Sequence, residues 1–91
     1  MSTFTPYQQE LKIKERVDAI LASRSTEDVY KCLKPYRPEQ CLTLLQGAIK
    51  QCTLIIDYYA SQGNDMKLVH YLSLEYILES MEEQYRHLLW R

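Results

Sequence analysis

The sequence predicts an all-α fold: an antiparallel hairpin of two long helices (about 38–62 and 65–90) packed with an N-terminal helix (about 6–22) and a short helix (about 26–33). Three observations predict it. Glycine appears twice and proline three times in 91 residues, which leaves too few turn formers for a turn-rich β architecture and no glycine-rich phosphate loop. Apolar residues recur at three- and four-residue spacings along most of the chain. Breakers at Pro35, Pro38 and Gly63-Asn64 divide that pattern into segments of helical length. With 46% hydrophobic and 25% charged residues, residues 1–91 form a single helical domain, because two separate cores need a longer chain.

Each helix has its own local signals. Thr5-Pro6, with Glu10 shortly after, opens the first: proline at the first helical position gives up no needed N–H, and threonine can cap. Leu11, Ile13, Val17, Ile20 and Leu21 make its apolar face, interleaved with Lys12, Lys14, Glu15, Arg16 and Asp18. Ser25-Thr26-Glu27-Asp28 resembles a capping box with aspartate in place of glutamate. Val29, Tyr30, Cys32 and Leu33 supply the apolar side of the short helix that follows, and Pro35 ends it by disfavouring helical geometry at Lys34.

Pro38-Glu39 opens the third helix, where Cys41, Leu45, Ala48, Cys52, Ile55 and Tyr59 form a seam that Leu42, Ile49 and Ile56 widen. A stripe of that width calls for two neighbours. Gly47 inside it permits close approach of another helix. Asn64 or Asp65 caps the fourth helix, whose seam is Tyr71, Leu74, Leu78, Met81, Tyr85 and Leu88. A second stripe, Leu68, Val69, Leu72 and Tyr76, requires another partner, and the first helix is the nearest candidate. Helices of roughly 36 to 39 Å exceed the diameter of about 31 Å for a compact chain of this size, so the domain is expected to be elongated and partly uncovered.

The chemistry-bearing residues are sparse. Eleven basic and twelve acidic residues give a net charge of −1, unlike a strongly basic nucleic-acid binder. Cys32, Cys41 and Cys52 form no C-x-x-C pair and are odd in number, against both a disulfide framework and a standard zinc site. His70 and His87 stand about 25 Å apart along one helix and cannot share a site. Glu83 and His87 have ligand spacing, but the Glu-x-x-His pattern of di-iron bundles would need an acid where Gln84 stands. No nucleotide, hydrolase or metalloprotease motif occurs, so neither enzyme activity, a metal nor a cofactor is expected. The absence of an apolar run of about 20 residues and of a signal-peptide core at the start predicts a cytoplasmic protein without a membrane role.

Two surfaces are left as candidates for binding. Eight tyrosines and one tryptophan exceed what so small a core can hide, and the chain ends on Leu88, Leu89 and Trp90. Tyr71, Tyr76, Met81, Tyr85, Leu88, Leu89 and Trp90 are therefore expected to anchor a protein interface, in a homodimer or with a partner protein. That reading makes the chain a non-enzymatic interaction module such as a small subunit, adaptor, inhibitor or cochaperone. Lys31, Lys34 and Arg37, with Tyr30 and Tyr36 interleaved, form the one place to grip an anion or nucleic acid. On the alternative reading, the chain is a small dimeric transcriptional regulator that uses this cluster. Against it, residues 39 to 49 would be the recognition helix and contain no Arg, Lys or Asn.

Overall fold

The computed structural model describes the backbone of residues 6–90 and the side chains of residues 12–90. Four helices follow in order: α1 (Pro6–Leu21), α2 (Thr26–Leu33), α3 (Pro38–Gln62) and α4 (Asp65–Leu89), with no strand among the described residues. Each boundary falls within a residue of its sequence signal. The Thr5 cap and the side chains of Glu10 and Leu11 lie outside the described residues.

The caps show why the breaks fall where they do. Ser25 Oγ accepts the Asp28 N–H (3.2 Å), and the Asp28 carboxylate accepts the Arg24 N–H (3.1 Å). The box therefore closes on the residue before the cap. At the end of α2, Lys34 departs from expectation, since it keeps helical angles (φ −52°, ψ −40°) and its N–H reaches Tyr30 O. The helix ends at this cap because Pro35 has no N–H to donate. Gln40 Oε1 accepts the Arg37 N–H at the start of α3 (3.1 Å).

Gly63 (φ 68°) takes the left-handed conformation that ends α3. Its N–H bonds to Ala60 O, and that of Asn64 bonds to Tyr59 O, closing a Schellman turn. Asn64 Oδ1 then accepts the Lys67 N–H (3.2 Å) and starts α4.

The hairpin of α3 and α4 is the largest contact in the molecule. Cys41, Leu44, Leu45, Ala48 and Cys52 of α3 are buried with Leu74, Leu78 and Met81 of α4. Two cross-helix hydrogen bonds fix the register: Cys52 Sγ to Tyr71 O (3.3 Å) and the Thr53 hydroxyl to Glu75 Oε2 (3.2 Å). Val17, Ile20 and Leu21 of α1 and Val29 and Leu33 of α2 complete the core. The Cys41 thiol donates to Leu33 O (3.3 Å), joining α2 to the first turn of α3.

Coverage of α4 differs from the sequence expectation. α1 packs on α3, not over the Leu68, Val69, Leu72 and Tyr76 stripe, and Val69, Leu72 and Tyr76 are exposed. α1 instead meets α3 around Gly47, where a Cβ would lie in ordinary contact with Val17 Cγ2, at 3.4 Å. Between α1 and α2, Ser23 and Arg24 border a small hollow on α4 with His70, Ser73 and Ile77. The molecule is elongated as expected, 48 × 33 × 20 Å with a radius of gyration of 14.1 Å, against about 12 Å for a compact chain of this length.

The two glycines predict opposite stability effects. Gly63→Ala forces a side chain into the left-handed region and should cost about 1 kcal/mol. Gly47→Ala meets only an ordinary contact and should gain up to about 1 kcal/mol from helix propensity. Urea unfolding midpoints of the two variants against the parent chain check both signs.

Candidate protein-interaction surface

Because α4 turns Leu74, Leu78 and Met81 toward α3, the positions between them on the wheel face outward. Val69 (62% exposed), Leu72 (45%) and Tyr76 (74%) line that outward face, and Met66 lies exposed at its start. This is an apolar stripe about two and a half turns long, with no other helix laid over it among the described residues. Farther along α4 the outward positions become charged, Glu79 and Glu83, so the stripe is confined to the first half of the helix.

The seven expected anchors separate into three environments. Met81 is buried, 2% exposed, and belongs to the monomer core; it offers nothing to a partner. Tyr71 and Tyr85 are half-buried against that core. Tyr76, Leu88 and Trp90 (83%) are exposed, with Leu89 half-buried beside them. Leu88 leaves the seam because Tyr85 already lies beside Cys41, near the start of α3, and the next turn of α4 outruns its neighbour.

Two further features were not visible in the pattern. At the hairpin tip, Tyr58, Tyr59, Tyr71 and His70 form a run of touching rings, with centroids 5.2 Å apart for Tyr58–Tyr59, 5.8 Å for the stacked Tyr59–Tyr71 pair and 4.9 Å for His70–Tyr71. Exposed Leu54 and Tyr58 extend apolar surface onto α3. Their four-residue spacing was the available signal, hidden by the wider stripe beside it.

The basic cluster is partly brought together. Lys31 and Lys34 line one cleft with Glu27, Tyr30 and Tyr85, whereas Arg37 caps α3 and does not line it. Tyr36 is half-buried against the core, its ring lying under the Arg16 guanidinium at 4.6 Å from Cζ. On the acidic face of α4, Glu82 pairs with Arg86 (2.7 Å) and Glu83 lies 3.8 Å from His87, both one turn apart. Such surface pairs contribute little to stability.

All three thiols are free. Burial pushes the Cys52 thiol up to about 11, with Glu75 and Glu79 acting in the same direction. Burial likewise raises Cys41, opposed by its hydrogen bond with Tyr85. Tyr85 itself is raised to about 12 by burial and by the neighbouring Cys41 and Tyr30. These groups are thus held neutral and serve packing. Among the described residues no three His, Cys, Asp or Glu side chains gather to hold a metal ion, and no helix is long and apolar enough to cross a membrane.

Comparison with known proteins returned no relative: no family model matches the sequence, and no curated protein or solved structure is similar to it.

Two predictions concern the thiols. In the native state a thiol reagent at pH 8 should modify half-buried Cys32 rapidly and Cys41 and Cys52 slowly, with all three reacting in denaturant; intact-mass spectrometry reads the count. Because the folded chain keeps the Cys52 proton to about pH 11, while the unfolded thiol loses it near 9, stability is fully present below pH 9 and falls as pH rises from 9 to 11. Cys52→Ala should flatten that fall in urea titrations across this window.

Proposed function

We propose that this chain is a non-enzymatic protein-interaction module that works by helix-on-helix packing, with α4's outward face as the contact surface. The observation that carries this reading is the exposed apolar stripe of Met66, Val69, Leu72 and Tyr76 on a helix whose other side is already committed to the core. A stripe of this kind on a two-helix layer suits a third and fourth helix. A second copy of the chain can supply them, giving a homodimer; so can a partner protein, making the chain a small subunit or adaptor. Exposed Leu88 and Trp90, with Leu89, form a second contact at the far end of the same helix. Free thiols suit a reducing compartment such as the cytoplasm.

The glutamates at positions 79 and 83 bear on orientation. Two copies packed in parallel would set these like charges against one another, whereas antiparallel copies crossing near Leu72 would hold them outside the contact.

Light scattering across a concentration series tests the reading. Val69→Glu with Tyr76→Glu changes two exposed positions, so the helical circular dichroism and unfolding midpoint should hold. Association should weaken at least tenfold, seen as loss of dimer mass or, if the parent chain is monomeric, as loss of the proteins it captures. Unchanged mass and unchanged capture in this double variant would overturn the assignment to α4.

A further inference from the structure

The cleft between α2 and the last turns of α4 is a separate feature that does not depend on what covers the outward face of α4. It has a volume of about 250 Å³ and is lined by Glu27, Tyr30, Lys31, Lys34 and Tyr85. That volume lies below the roughly 300–1,000 Å³ of small-molecule and cofactor sites. It suits a side chain or two from another protein.

Charge and wall chemistry narrow the occupant. Lys31 and Lys34 are three apart on one helix and so project as neighbours, and neither forms an ion pair with a described carboxylate. Lys31 stands in the last turn of α2 and complements the helix dipole there. The dipole accounts for a cation at this end of α2, but not for a tyrosine-walled hollow beside it. Tyr30 is half-exposed, while Tyr85 is half-buried and keeps its proton well past neutral pH. The two rings give apolar walls, and the Tyr30 hydroxyl can donate, whereas that of Tyr85 is engaged with Cys41. Glu27 sets the other limit, since its carboxylate repels an anion from its end of the cleft and directs one toward Lys34.

From these features the geometry points to a docking site for an acidic peptide segment of a partner protein: one carboxylate held between Lys31 and Lys34, with an adjoining aliphatic side chain laid against Tyr30 and Tyr85. A nucleic acid fits less well. Its binding rests on many phosphate contacts, whereas this cleft offers two ammonium groups beside a carboxylate, on a chain of net charge −1. Arg37 lies outside the lining, and the turns of α3 that follow it present Glu39, Gln40 and Thr43.

The test is a titration of the isotope-labelled full chain with the peptide Glu-Glu-Leu-Glu-Glu, followed by amide chemical shifts at low salt. Shifts should concentrate at Tyr30, Lys31, Lys34 and Tyr85, and affinity should fall as salt is raised. Lys31→Glu with Lys34→Glu should weaken binding at least tenfold with the fold retained, because both positions are exposed. Lys50→Glu, an exposed cation on α3, should change it less than twofold. Absence of shifts, shifts spread over the surface, or equal loss in the Lys50 variant would overturn the proposal. So would tighter binding of a twelve-nucleotide single strand or a twelve-base-pair duplex under the same conditions. Retained peptide binding in the Val69→Glu, Tyr76→Glu variant would confirm that the two surfaces are independent.

Discussion

The packing of α3 against α4 is the constraint on which the rest of the molecule depends. On the α3 side Cys41, Ala48 and Cys52 are small and alternate with Leu44 and Leu45, and on the α4 side Leu74, Leu78 and Met81 fill the space between them. Small residues facing large ones let the two axes approach and interdigitate. Since each helix has 25 residues, this one interface sets the long dimension of the molecule. The 24 residues of α1 and α2 are too few to wrap it.

What α1 and α2 can cover is decided by where they fit most closely. Val17 of α1 packs beside Gly47 of α3. The Cys41 thiol reaches back to Leu33 O, so α2 is held at the opening of α3. Both contacts draw the short helices to α3. The cost of that placement is borne by α4, whose outward stripe stays in water. Burying a side chain the size of Leu, Val or Met contributes about 1.5–3 kcal/mol, so an unfilled stripe of this kind represents a substantial reserve for association.

The buried thiols fit the same scheme. Cys52 spans the hairpin to a carbonyl of the opposite helix, and Cys41 spans the α2–α3 junction. Each is small enough for a tight seam and still supplies a weak donor to a carbonyl. Replacement by alanine would remove the sulfur, losing the donor and leaving a small void, and a larger residue would push the helices apart.

The sequence by itself determined the helices and most of the core. Ser25, Pro38, Gly63 and Asn64 act through bonds to residues only a few positions away, which is why their spacing could be read directly. Leu74, Leu78 and Met81 were legible as a seam for a similar reason: periodicity reports which residues share a face. It does not report which neighbour that face will meet. Met81 therefore read as an anchor for a partner although it closes the chain's own core, and Val69, Leu72 and Tyr76 read as covered by α1 although they lie bare. Lys31 and Lys34 were visible as a charge cluster, but their cleft needed Tyr85, some fifty residues on, brought beside Tyr30 by the hairpin. Only the tertiary structure decided these, because which long helix the short ones cover depends on contacts between residues far apart in the chain and not on the local pattern.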